Sequence, residues 1–391
     1  MRPSLRVVLA LLATLSMALC AGGCSNVPSA SSGSIPRYTA SGSIVTGDSN
    51  MPLANVLITV RPFGTTLSDS AGKWAKSGMM PVSSGGVMVE PFHEGYLFEP
   101  CVHYSDYNQW GRQEGLDFVA WPKSPQPLIA TCYGQYSTAI EVLNPDGHGS
   151  QWLHWVSRFL RTPYSVSWSP AHDGFAFTYD GDIFTSDLEG HVYRLTSNKL
   201  FNETPVWSPL GDNIAFSTRT WGCQQWYDYQ TDICVMSADG RGARRLTFEQ
   251  KHNTSPRWSP HGSEIVFISQ TDTYPTKWQL RTVNPYTYEE TVLYESDLTI
   301  SAIDWSYDGS TIAMSLAKPG SGSKLLLLPV GQEKARELEI DGYSCTDIAW
   351  SPNGTEIALT GCRASLTIVN VASGNIRTLG DYGSIFYAVD W

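Results

Sequence analysis

The sequence predicts an all-β protein in which a small β-sandwich precedes a six-bladed β-propeller closed by its own C-terminal strand. Three observations carry this prediction. A Trp-Ser motif recurs at Trp168, Trp207, Trp258, Trp305 and Trp350, at intervals of 39, 51, 47 and 45 residues, and Trp391 follows 41 later. Periods of about 40 to 50 residues with short strands between them are the mark of propeller blades. Residues 37–121 instead alternate apolar and polar side chains in short runs divided by turn residues, a sandwich pattern. Finally, residues 386–391 read as the first strand of a unit whose other strands stand at the opposite end of the repeat region.

Targeting segments come off before any fold argument. Arg2 and Arg6 precede an apolar stretch over 7–19, which leads to Ala21-Gly22-Gly23-Cys24, small residues ending in cysteine. This resembles a bacterial lipoprotein signal, with residues 1–23 removed and Cys24 acylated. Lipobox sequences usually carry Leu where this one has Ala21. An ordinary secretory peptide with Cys24 incidental is the alternative, and either reading exports the chain. Residues 24–36, rich in Ser, Gly and Pro, form a flexible tether. No later stretch reaches the ~18 consecutive apolar residues of a membrane span, so the acyl chains are the expected membrane attachment.

The 391 residues carry 26 Lys+Arg and 37 Asp+Glu, a formal net charge of -11, with 42% hydrophobic and 12% aromatic residues. That composition is globular. Loss of Arg2 and Arg6 leaves 24 basic against 37 acidic side chains, or -13, which argues against a nucleic-acid groove. Without Cys20 and Cys24, six cysteines remain: Cys101, Cys132, Cys223, Cys234, Cys345 and Cys362. An even set in an oxidising compartment suggests disulfides, and no CxxC or CxxH pair supports zinc.

In 37–121 the turn-bounded strands include Gly42-Ser43-Ile44-Val45, Val56-Leu57-Ile58-Thr59-Val60 and Val87-Met88-Val89. Gly42-x-Ile44, Pro52-Leu53-Ala54-Asn55-Val56, Ser68-Asp69-x-x-Gly72-x-Trp74 and Gly95-Tyr96-x-Phe98-x-Pro100 resemble the carboxypeptidase-regulatory, transthyretin-like family. The resemblance implies a non-catalytic spacer or binding accessory. Residues 68–74 could instead be read as a sialidase-like Asp-box, but they lack the residue that motif places between Ser and Asp, so a turn is expected.

After the proline-rich joint at 121–125, each repeat has the same logic over 126–391. In one unit Thr204-Pro205-Val206-Trp207 is an inner strand, 208–211 a turn, Ile214-Ala215-Phe216 and Ile233-Cys234-Val235-Met236 buried strands, and Arg244-Arg245-Leu246-Thr247 an outer one. Proline presets φ in the turn, glycine closes it in the left-handed conformation, and Trp wedges neighbouring blades. These copies resemble the TolB-like, WD40-like propeller family. Trp, Ser, Pro and Gly are therefore assigned structural roles. Residues 128–156 supply second, third and fourth strands without a first, so 385–391 should pair with 127–133 and seal a six-bladed ring. Residues 152–160 fit a helical turn as well as an outer strand.

No catalytic residue is identified. The G-x-S-x-G elbow of propeller-bearing hydrolases is absent, and the eight histidines show no HxH or HExxH pairing. Asp180-Gly181-Asp182 with Asp187 offers oxygens for calcium, although its place between two strands favours a hairpin turn. No phosphate-cradling or dinucleotide motif occurs, so no cofactor and no metal site is assigned. Aromatics concentrate in two insertions after second strands: Trp221, Trp226, Tyr227 and Tyr229 in one, Tyr274 and Trp278 in the next. Amphipathic aromatics on rigid loops suit sugars or peptide side chains. They could equally plug the channel or touch the N-terminal module.

Antiparallel pairing about the turn at 351–354 places Cys345 opposite Cys362, and Cys223 and Cys234 flank a hairpin. Cys101 and Cys132 are left to bond by elimination. The 12-residue loop from 223 to 234 implies about 3 kcal/mol of stabilisation in a chain-entropy treatment. The expected protein is thus an exported, lipid-anchored, non-catalytic binding or scaffold protein engaging an envelope protein or glycan. A glycan- or lactone-active enzyme with a channel site, or a structural spacer, are the alternatives. If Cys24 is acylated, Cys24→Ala should move the protein from the membrane to the soluble fraction on cell fractionation; continued membrane association would refute the anchor.

Overall fold

The computed structural model describes residues 37–391 apart from 80–86, 106–111, 134–136, 158–164, 189, 199, 220–229, 250, 272–275, 319–321, 339, 341–344, 362–365 and 380–384. All regular structure among the described residues is β-strand. The chain divides into two compact units, one ending at Lys123 and including His148–Gln151, the other made of Ser124–Gly147 and Trp152–Trp391.

In the first unit, Arg37–Thr46 lies between Lys73–Met79, antiparallel, and Phe118–Pro122, parallel, and Tyr96–Glu99 extends the sheet past Phe118–Pro122. A second sheet sets Leu57–Arg61 between Gly64–Leu67 and Val87–Phe92, with His103–Ser105 at its edge. Because successive side chains of a strand point to opposite faces, each sheet contributes one apolar face. Ala40, Ile44 and Phe118 from one and Ile58, Val60 and Val89 from the other share a core with Trp74. Residues 68–72 are a turn held by side chains: Asp69 Oδ1 accepts the N–H groups of Ala71 and Lys73 at 2.9 and 2.8 Å. Gly72 has φ +69°, and a Cβ there would fall 2.3 Å from the Ile44 carbonyl oxygen.

The second unit is built of four-stranded antiparallel meanders. Their inner strands are Val166–Trp168, Asn202–Trp207, His252–Trp258, Thr299–Trp305 and Cys345–Trp350, each followed by its own second, third and fourth strand. One further meander draws its inner strand, Ile385–Asp390, from the far end of the chain. It pairs antiparallel with Leu128–Tyr133, Ile129 facing Asp390 and Tyr133 facing Ile385. Ser137–Leu143 and Ser150–Ser157 follow in order. The stretch that could have begun a helix at Trp152 is therefore strand, and 158–160 lie outside the described residues. Each inner strand contacts the next, and Ile385–Asp390 contacts both Cys345–Trp350 and Val166–Trp168.

The repeated motif acts at the turn from first to second strand. The hydroxyls of Ser208, Ser259, Ser306 and Ser351 each accept the N–H five residues on, at 2.9 to 3.1 Å. Glycine at the fourth position after Trp takes φ near +70° in these four turns. In the turn after Trp168 no glycine stands there, and His172 adopts the same conformation at φ +53°. The Ser hydroxyl is thus a turn clamp, which explains its constancy better than proline does, since Tyr307 replaces proline without changing the turn. Five inner strands also carry a register break just before their Trp, at 204–205, 255–256, 301, 346 and 387. Such bulges re-aim the residues that follow.

Deleting residues 386–391 removes four side chains, Phe386, Ala388, Val389 and Trp391, each at most 4% exposed, and bares the Leu128–Tyr133 edge. The truncated chain should scatter light and lose a single cooperative thermal transition; a variant as soluble and cooperative as the parent would contradict this account.

Candidate functional site

In most inner strands a bulge precedes the residue immediately before the Trp. Ser167, Arg257, Asp304 and Asp390 occupy that position, and together with Val206 they line a cavity of about 450 Å³. All six motif tryptophans border it, as do Pro170, Pro209, Pro260, Pro352, His172 and Tyr307 from the turns after first strands. Its walls are therefore rigid: prolines, glycine-closed turns and indoles wedged between sheets.

Inner strands of neighbouring meanders are not zipped by a common ladder, so main-chain N–H groups there need side-chain partners. Asp304 Oδ2 accepts the Trp350 N–H at 2.7 Å, and Asp390 Oδ2 accepts the Trp168 N–H at 2.7 Å. Asp347 Oδ2 takes the Val389 N–H at 3.2 Å, and Ser167 Oγ the Trp207 N–H at 3.4 Å. Each bond runs from one inner strand to the next. Arg257 reaches into this carboxylate group, with Nη2 2.6 Å from Asp347 Oδ1 and Nε 3.7 Å from Asp304 Oδ1.

Burial pushes the Asp304 carboxyl up to about 7, against the pull of Arg257. Asp347 and Asp390 are also raised by burial, again opposed by Arg257. Burial works to lower the guanidinium, but Asp347, Asp304 and Asp390 together hold it above the usual arginine range. Tyr307 donates its hydroxyl to the Trp391 carbonyl at 2.9 Å, and burial with Asp390 and Asp304 raises it.

Of the aromatic cluster expected from the sequence, Trp221, Trp226, Tyr227, Tyr229 and Tyr274 lie outside the described residues. Trp278 opens the strand Trp278–Val283 opposite Gln270 and Ser296 and packs on a core that includes Ile268, Leu280 and Ile303. The second strands preceding these insertions end at Arg219 and Gln270, the opposite end from the turns that border the cavity. Cys24, Cys223 and Cys362 also lie outside the described residues. No disulfide links any two of the described cysteines Cys101, Cys132, Cys234 and Cys345. Cys234 sits within its strand opposite Phe216, buried, its thiol pushed up to about 12 by burial and Asp232. Cys345 faces Gly361, the neighbour of Cys362, and burial raises its thiol to about 11. Asp180 and Gly181 form a hairpin turn with φ +50° and +77° between paired Tyr179 and Asp182. Asp182 binds Arg194 and Asp187 binds His191, so those oxygens serve the sheet and its turn rather than a calcium ion.

The residues missed in the sequence are Arg257, Asp304, Asp347 and Asp390. A readable signal was present for three of them, since Arg257, Asp304 and Asp390 each stand immediately before a motif Trp.

Because the folded-state carboxyl of Asp304 titrates near 7 and an unfolded aspartate near 3.9, the folded chain binds the extra proton between those values. Stability should therefore fall as pH rises from about 4 to about 7, and Asp304→Asn should flatten that slope in melting temperatures measured across the range. A parent and variant with parallel pH profiles would refute it.

No family model matches the chain. It is 34% identical over 113 residues to an uncharacterized protein of Agrobacterium fabrum, covering 27% of this chain and 36% of that one. It is 25% identical over 190 residues to the uncharacterized peptidase YuxL of Bacillus subtilis, covering 48% of this chain and 28% of that one. The chain thus spans about a third of the length of the curated relatives it matches. Among solved structures, TolB from Acinetobacter baumannii superposes with a TM-score of 0.59 at 17% identity, covering 79% of this chain and 80% of that one. A putative TolB from Agrobacterium tumefaciens gives 0.52 at 14% identity over 68% of this chain and 98% of that one. These likenesses establish a fold: the chain contains a TolB-like β-propeller.

Proposed function

We propose that this is an exported, lipid-anchored binding or scaffold protein of the bacterial envelope, whose propeller holds a protein or glycan partner at the cavity bordered by the six tryptophans. The observation that carries the reading is that cavity, about 450 Å³ with both apolar and charged walls on rigid elements, a size and make-up typical of recognition sites. The likeness to two TolB structures supports an envelope setting, and the lipoprotein-like N-terminus supports anchoring through Cys24. In this reading the six meanders form one ring closed by Ile385–Asp390, the N-terminal unit is a carboxypeptidase-regulatory-like spacer, and Cys345 bonds Cys362. Trp278 apart, the aromatic residues of the insertions over 219–230 and 271–278 are proposed as a second contact surface.

A hydrolytic role for the same cavity has one observation in its favour, the convergence of Asp304, Asp347 and Asp390. Each of these carboxylates already accepts a main-chain N–H from the next inner strand, which suits holding the fold together more than proton transfer.

The exposed Gln126 borders the cavity and contributes only its main chain to the bond from Trp391 Nε1. Gln126→Trp should therefore fill the cavity without disturbing the fold. In capture from envelope extract with the form lacking residues 1–24, the parent should retain a partner that the variant loses. Equal capture by both would remove the cavity from the binding surface, and capture lost instead in Trp226→Ala would move it to the insertions.

A further inference from the structure

The geometry points to an organic cation, a primary ammonium or guanidinium on an apolar stem, as the group this cavity takes, seated against Asp304 and Asp390. The inference rests on the cavity being the binding site. Three carboxylates converge here on one guanidinium, and their charges are not evenly met. Arg257 spends its close contact, 2.6 Å, on Asp347, which does not border the cavity. Asp304, which does, lies 3.7 Å from Arg257 Nε, too far for a hydrogen bond. Asp390 borders the cavity too, and among the described residues no cationic side chain stands within ion-pair distance of it. Three carboxyl groups thus meet one guanidinium, burial favours their protonated form, and a ligand cation seated on this wall would draw Asp304 and Asp390 into the charged form.

Two further features select the ligand chemistry. Main-chain N–H groups hold Asp304 and Asp390 in place, the Ser167 hydroxyl adds a bond to Asp390, and a carboxylate oxygen has lone pairs to spare for another donor. The rim above them is indole and proline, which accommodates methylene groups and lowers the local dielectric, so an ion pair formed beneath it is stronger than one at an open surface. Arg257 is the fold's own example: a guanidinium on an aliphatic stem, already seated against the same carboxylates. A ligand cation would enter beside it from the open side.

The test uses the purified full chain, with n-butylguanidinium, n-butylammonium, n-pentanoate, 1-pentanol and calcium chloride as probes, followed by tryptophan fluorescence and calorimetry. The two organic cations should bind saturably and at least tenfold more tightly than pentanoate or pentanol. Asp390→Asn and Asp304→Asn, which keep an oxygen for the main-chain bond, should each weaken butylguanidinium at least tenfold, whereas Asp187→Asn should not. Gln126→Trp should abolish binding. Pentanoate or pentanol binding in preference, blocked by Gln126→Trp, overturns the cation inference and leaves the cavity as the site. Calcium binding without organic-cation binding does the same. If no probe binds and Gln126→Trp captures the envelope partner as well as the parent does, both readings fall. Should an Asn variant melt early, the order of probe affinities in the parent alone still decides.

Discussion

The propeller unit depends on one interaction, a carboxylate of one inner strand accepting a main-chain N–H of the next. Four-stranded meanders have a free inner edge, and such edges set side by side would leave buried donors without partners. Asp304, Asp347 and Asp390 answer that need between successive strands, and Ser167 does the same with a hydroxyl. The solution creates a second problem, since three half-buried carboxyl groups repel and lose hydration together. Arg257, which follows the bulge at 255–256, offsets part of it. The site's charge is therefore a by-product of holding the sheets together, and the same groups both fasten the fold and decide what the cavity favours.

The tryptophans and serines serve the complementary task of fixing each sheet's angle to its neighbour. Indoles fill the wedge between meanders, and Trp258 Nε1 reaches the Val206 carbonyl of the preceding inner strand at 3.3 Å. Serine hydroxyls lock the turn after the Trp. The position that glycine usually holds tolerates His172, because the turn demands a left-handed residue and the clamp supplies enough structure to impose it.

Much of this was legible in the sequence for physical reasons. Periodic Trp-Ser motifs, two-residue alternation and the unpaired strand at 385–391 are local signals of burial and turn chemistry, so the strands and the pairing of 385–390 with 128–133 could be read directly. The charged axis was not read. Asp304 and Asp347 come from different meanders, and only the packing of those meanders brings them to one guanidinium, which follows a bulge no composition reveals. The aromatic insertions, by contrast, are conspicuous in the sequence through their density of Trp and Tyr. Trp278 shows the hazard, because it packs on the core of its own sheet. Cys234 is similar: spacing suggested a hairpin flank, whereas strand register places it opposite Phe216.

The pairing of Ile385–Asp390 with Leu128–Tyr133 also orders events in time. Trp391 donates to the carbonyl of Gln126, a partner 265 residues away in the chain. During synthesis, the edge at 128–133 has no strand to pair with until nearly all of the repeat region has emerged, so the earliest sheet is the last to be completed. A contact of such long range makes folding slow and leaves that edge open to other chains meanwhile.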